Sequence, residues 1–354
     1  MTLSKKFLVL LFFYQSFALR SPSLRSDQVV SPKSRNVFSL YHTVTEMHAE
    51  FESMTFSCGR ELKLKTVNGI DIIDMPSAGP TSAFLLFGEH ARELVSPETA
   101  LELVRRLCRK TDDGVTYRII PDANPKGKQG VEAGNFCMRT NDRGVDLNRN
   151  WMESTEGSDR EKSGHAVSIM LNSTMVVNQS SEDFESTQTN SGAMPFSEIE
   201  TATVRDVLIE FNPTLFISIH SGTRGMYTPW ASDGHADSFW RSFVPAEERA
   251  HNDFKRMKEL ISSVDDKRCN CPLGEAFDKI GYSSSGTCID WAYTNLKTRW
   301  VYAFEIYNDY SNGLDDCFAL FNPISRSQLG EVTQNWAEAI LEVAQLVKTR
   351  QTVN

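Results

Sequence analysis

Apolar residues along this chain come in two periods. An amphipathic stretch, YHTVTEMHAEFESM, repeats at helical spacing from Tyr41. Two short apolar runs, GIDIIDM and SAFLLFG, have strand length and strand composition. Ser96, Pro97 and Glu98 then open a predicted helix that continues through ETALELVRRLCRK. Three more apolar strands follow at TYRIIPDANP, TLFISIH and RWVYAFEIY, and QLGEVTQNWAEAILEVAQLVK predicts a long closing helix. Strands alternating with helices predict an α/β fold: a single domain with a mixed, largely parallel twisted sheet and helices on both faces.

Two regions break the pattern. The N-terminus carries Lys5 and Lys6, an apolar run from Phe7 to Phe13, and small residues at Ser16 and Ala18. This is the form of a secretory signal peptide over residues 1–18; a signal anchor is the alternative reading. The polar stretch at 19–40 is expected to be a flexible lead-in, and 348–354 a tail. Residues 153–193 are rich in Ser, Thr, Asn and Glu and predict a long surface insertion. The insertion holds Asn172 and Asn178 in N-glycosylation sequons, relevant because a leader precedes them.

The 354 residues are 40 % apolar and 23 % charged, which allows a substantial core, and the net charge of −9 argues against a nucleic-acid partner. No segment after the leader has the roughly 20 apolar residues of a membrane span. Seven cysteines suit an oxidising route, but the odd number leaves at least one thiol unpaired within the chain. Cys269 and Cys271 match no metal motif, so disulfides or burial are expected there.

Three of the apolar strands end in ionisable residues. FLLFG runs into His90 and Glu93, TLFISI into His220, and WVYAF into Glu305. Ligands of open α/β sheets bind at the carboxyl ends of strands, so this places four functional groups along one edge. Two histidines and a glutamate with one open position form a catalytic zinc shell, and His90 and Glu93 at i and i+3 can reach one ion.

With these motifs in order, the chain resembles the zinc metallocarboxypeptidases of the carboxypeptidase A type. The resemblance rests on HARE at His90–Glu93, GVDLNRNW at Gly144–Trp151, SIHSG around His220, YSSSGTCIDW, and FEIY at Glu305. It covers about 41–347, taken as the catalytic domain. It implies one Zn2+ held by His90, Glu93 and His220 with water as fourth ligand, and Glu305 as the general base. It implies Arg139 at the developing oxyanion, with nearby Arg143 as a rival, and Asn148 and Arg149 on the substrate's terminal carboxylate. Tyr282 would close over the substrate, Arg92 would make a further substrate contact, and Asp146 would orient the first histidine.

Ile289 aligns with the floor of the pocket for the terminal side chain, which predicts apolar or aromatic preference; Ala303 agrees. Asp233 and Asp237 could instead enter that pocket and favour basic residues. Gly222 departs from the tyrosine of digestive members. The lead-in is too short for a folded inhibitory prosegment, and no C-terminal β-sandwich region follows. The implied partners are peptide or protein C-termini, with no membrane span, a monomeric state, and a secreted or vacuolar/lysosomal location. Two other classes stay open: a related zinc amidohydrolase or deacylase, and a catalytically silent peptide-binding relative. The remaining histidines, His42, His48, His165, His235 and His251, carry no motif.

Overall fold

The structure, a computed structural model, describes residues 37–110, 112–151, 188–232, 247–296, 298–311 and 316–351. The leader, most of the lead-in, most of the polar insertion with its two sequons, Asp233 and Asp237 lie outside the described residues.

Eight strands form one sheet. In chain order they are β1 (Lys63–Val67), β2 (Ile70–Met75), β3 (Thr81–Phe87), β4 (Val115–Ile120), β5 (Leu215–His220), β6 (Arg224–Thr228), β7 (Leu273–Glu275) and β8 (Trp300–Ile306). Their spatial order is β1-β2-β4-β3-β5-β8-β6-β7. The central four, β4, β3, β5 and β8, run parallel, while β2 and β6 flank them antiparallel. The mixed, largely parallel α/β sheet expected from the apolar pattern is therefore the one observed.

Burial explains why the central strands read so clearly. Every residue of β5 is buried, as are all but one of β3. Strands covered on both faces are continuous apolar runs. The sequence reading lacks β1, β6 and β7, and the reason is physical. β1 is an edge strand with four of its five residues exposed, and β7 has three residues, so neither carries an apolar run.

The helices, again in chain order, are α1 (Val44–Ser57), α2 (Val95–Arg109), α3 (Pro125–Glu132), α4 (Ile199–Phe211), α5 (Glu247–Arg268), α6 (Ala276–Ile280), α7 (Cys288–Asn295), α8 (Cys317–Phe321) and α9 (Arg326–Gln351). Helix α9 packs on α2 and α5 and against β3, β4 and β8; α7 packs against β5 and β8. Helix α5 is hidden in the apolar pattern because its sequence is densely charged. Its buried residues Phe254, Met257, Ile261 and Val264 nevertheless keep a helical period.

Two boundaries differ from expectation. Helix α2 begins at Val95 rather than Ser96, and Ser96 does not cap it. Its hydroxyl donates to the Ile219 carbonyl at 2.6 Å and accepts from the Gly88 N–H at 3.2 Å, tying the ends of β3 and β5 together. Helix α9 continues to Gln351, into the stretch expected as a tail. Lys348 Nζ donates to the Asp113 carbonyl at 2.5 Å, and Gln351 Oε1 accepts from Thr81 at 2.6 Å, so this last turn is anchored to the sheet.

Three disulfides join Cys58 to Cys108, Cys137 to Cys317 and Cys269 to Cys271, leaving Cys288 as the buried free thiol. Among the described residues no helix is long and apolar enough to cross a membrane.

Candidate active site

Strands β3, β5 and β8 are neighbours, and their carboxyl ends lie along one edge. At the end of β3 the chain must leave the sheet at once, and Gly88 makes that possible at φ +70°. A Cβ there would lie 2.9 Å from the Asp122 backbone. The turn delivers His90 and Glu93, both buried, beside His220 at the end of β5.

The three side chains converge closely. His90 Nδ1 lies 2.7 Å from Glu93 Oε1 and 3.2 Å from His220 Nδ1, and Glu93 Oε2 lies 3.2 Å from His220 Nδ1. With each Nδ1 unprotonated, two ring nitrogens facing each other beside a carboxylate direct lone pairs at a common point. Zinc bonds to nitrogen and oxygen are about 2.0–2.2 Å, which sets tetrahedral ligand atoms roughly 3.3 Å apart. The two 3.2 Å spacings match that value while the 2.7 Å His90–Glu93 contact is shorter, and the three residues form a candidate metal group.

Behind His90, its Nε2 lies 3.2 Å from Asp146 Oδ1. Asp146 also accepts from the Asn148 N–H at 3.0 Å and from Arg139 Nε at 2.8 Å. Burial alone would raise the Asp146 carboxyl, but the Arg139 guanidinium and His90 hold it well below the usual carboxylate range. Glu93, opposed by burial in the same way, is held down by His90 and His220.

Arg139 and Arg143 part company here. Arg139 lines the cleft with its Nη1 at 3.8 Å from Glu93 Oε1, whereas Arg143 is exposed and turns to Glu198 at 3.6 Å. Glu305, the register partner of His220 on β8, also lines the cleft, half-buried and accepting a 3.4 Å bond from the Thr223 N–H. Burial, followed by the charge of Glu93, pushes its carboxyl up to about 7.

Asn148 and Arg149 sit in a short 3-10 turn, Leu147–Arg149, capped by Asp146. Asn148 Oδ1 accepts from the Cys288 N–H at 2.9 Å. Arg149 donates to the Asn148 carbonyl at 2.7 Å and to Ser284 Oγ at 3.0 Å. No carboxylate among the described residues is within ion-pair distance of Arg149, and burial lowers its pKa. Asp146 acts on it only from beyond contact distance, so the guanidinium fork is left able to receive an anion.

These groups border one cleft of about 530 Å³. One side is apolar, formed by Ile289, Ala303, Ala231, Ala276 and Ile280. Asp290, next to Ile289, accepts instead from the backbone N–H groups of Ala231 and Ser232, at 2.9 and 3.2 Å. Tyr282 stands at the rim, 57 % exposed, so it is not a packing residue. Arg92 lies over the Phe321 ring at 4.0 Å and donates to the Cys137 carbonyl. The same ring fills the space beside Gly222, where a Cβ would lie 2.3 Å from Phe321.

All the predicted site residues thus border the cleft, except Asp146, which stands behind His90. Away from it, His42 bonds Glu98 and His48 bonds Asp71. The sequence reading lacks three buried neighbours of His220: Glu89, Ser218 and Cys288. One signal was available, since period-two alternation puts Ser218 on the same strand face as His220.

An open α/β sheet with a His-Glu-His cluster, a further carboxylate and three arginines in one cleft at its carboxyl edge is the arrangement of a candidate metal site. The chain belongs to the zinc carboxypeptidase family, which it matches over residues 46–337. It is 24 % identical over 302 residues to zinc carboxypeptidase A 1 of Anopheles gambiae, covering 76 % of this chain and 60 % of that protein. It is 23 % identical over 240 residues to zinc carboxypeptidase A 1 of Drosophila melanogaster, covering 63 % and 48 %. The chain therefore spans about half to three-fifths of the length of these relatives. Bovine thrombin-activatable fibrinolysis inhibitor, solved with tick carboxypeptidase inhibitor, shares the fold at a TM-score of 0.63. It is 18 % identical, over 88 % of this chain and 98 % of that one.

Proposed function

We propose that this protein is a zinc-dependent carboxypeptidase that removes the C-terminal residue of peptides or proteins, preferring apolar or aromatic termini. The observation that carries the exopeptidase reading is Arg149, a guanidinium in the cleft with no carboxylate of its own. Its planar fork, with Asn148 beside it, suits the terminal carboxylate of a substrate. An endopeptidase has no need of that receptor, and the full set of Asn148, Arg149, Tyr282 and Glu305 favours the peptidase over a deacylase.

His90, Glu93 and His220 are the residues that would hold zinc. When bound, the ion supplies a Lewis acid that acidifies water in the cleft. Glu305 takes a proton from the attacking water and passes it to the leaving amine, a role suited to a carboxyl poised near 7. Arg139, fixed by Asp146, offers a cation where carbonyl oxygen charge develops. Asp146 fixes the orientation of His90. Tyr282 covers the bound terminus from the rim, Arg92 contacts a residue further along the peptide, and Ile289 floors the pocket for the terminal side chain.

Residues 41–347 constitute one catalytic domain that acts as a monomer. Three disulfides support a route through an oxidising compartment, and hence a secreted or vacuolar/lysosomal location. The test incubates the full chain with peptides ending in Phe, Leu, Arg or Glu, with and without a chelator, and follows products by mass spectrometry. Chelator-sensitive loss of single C-terminal residues, fastest from Phe and Leu, is expected. No such loss from any peptide would overturn the reading.

A further inference from the structure

His90 and His220 each present Nδ1 to the proposed ion, so each Nε2 carries a hydrogen that needs an acceptor behind it. Behind His90 that acceptor is Asp146. Behind His220, Nε2 lies 2.7 Å from Ser218 Oγ and 3.2 Å from Glu89 Oε2, and Ser218 Oγ donates to the same Glu89 oxygen at 2.8 Å. The geometry forms a short chain, imidazole N–H to hydroxyl, hydroxyl O–H to carboxylate.

Glu89 is 2 % exposed, and the side chains bonded to it donate. Trp151 Nε1 reaches Oε1 at 3.1 Å, and the Cys288 thiol and Ser218 reach Oε2 at 3.3 and 2.8 Å. That environment suits an ionised carboxylate. Yet none of these donors is a cation, and His220 is the single basic side chain among the described residues within ion-pair distance. A buried carboxylate without a countercharge is costly. An imidazole polarised by a divalent ion supplies the missing positive charge.

We infer that Glu89, acting through Ser218, is the positioning carboxylate for His220, as Asp146 is for His90. Both imidazoles of the metal group are then carboxylate-backed, one from the 3-10 turn and one from the residue preceding His90 itself. The inference rests on the zinc reading above. Glu89 touches neither substrate nor ion; it sets the tautomer, orientation and basicity of His220.

The test compares zinc affinity by chelator competition, and melting of zinc-loaded and metal-free full chain, in wild type, Glu89→Gln and Ser218→Ala. Removing such a partner should weaken zinc binding about 10- to 100-fold. The rise in melting temperature that zinc gives should be smaller in Glu89→Gln than in wild type, because the carboxylate is needed most when the ion is bound. A purely structural role predicts the reverse: unchanged zinc affinity and equal loss of melting temperature with and without metal. That result would overturn the inference. If Glu89→Gln does not fold, Ser218→Ala decides: a severalfold loss of zinc affinity upholds the link, and wild-type affinity overturns it. A wild type that takes up no zinc would overturn the metal reading together with this one.

Discussion

His220 and Glu305 are register partners on the adjacent parallel strands β5 and β8. Strand pairing therefore fixes a proposed metal ligand and the proposed base relative to each other, with no loop between them. A base so placed needs little reorganisation before it takes a proton.

Replacing Glu305 by Gln keeps the shape and removes the proton acceptor. Turnover of a good peptide substrate should fall by about 10²–10⁴-fold while zinc content, measured by atomic absorption, stays at one per chain. Retention of most activity would remove Glu305 as base.

Acid should silence the enzyme through the same residue. The carboxyl is pushed up to about 7 by burial and by Glu93, and only its ionised form accepts a proton. A neighbouring divalent cation favours that ionised form, so the zinc-loaded enzyme should show an acid limb in kcat/KM between about pH 5 and 7. A profile flat from pH 7.5 to pH 5 would contradict this.

Arg149 is the proposed receptor for a free C-terminus. Charge-assisted hydrogen bonds contribute about 1.5–3 kcal/mol each, so losing two in Arg149→Met should lower kcat/KM about 10²–10⁴-fold. C-terminally amidated peptides should be poor substrates for both forms. An equal loss on free and amidated peptides would show that Arg149 acts elsewhere.

Ile289 tests the pocket floor. Ile289→Asp places a carboxylate among Ala231, Ala276, Ile280 and Ala303. The ratio of kcat/KM for Arg-ending over Leu-ending peptides should rise by on the order of 100-fold. An unmoved ratio would put the selecting residue elsewhere in the cleft.

Gly222 should not tolerate a side chain. Its φ is +128°, and an added Cβ meets the Phe321 ring that stacks on Arg92. Gly222→Ala should cost about 1–3 kcal/mol, read as a lower midpoint in thermal or urea unfolding. Wild-type stability would mean that the ring moves aside freely.

The sequence by itself determined the α/β class, the five strands buried enough to read as apolar runs, and the motif residues His90, Glu93, Asp146, Asn148, Arg149, His220 and Glu305. Burial on both faces writes itself into composition, and a strand that ends in a charged residue marks the edge where chemistry sits. The tertiary structure alone decided what those residues meet. It set β3 beside β5 and β5 beside β8, turned Arg139 into the cleft and Arg143 out of it, and paired six of seven cysteines. It also gathered Glu89, Trp151, Ser218 and Cys288 behind His220. Periodicity records which face a residue takes, whereas contacts between residues over a hundred positions apart depend on strand order and helix packing, which no local pattern encodes.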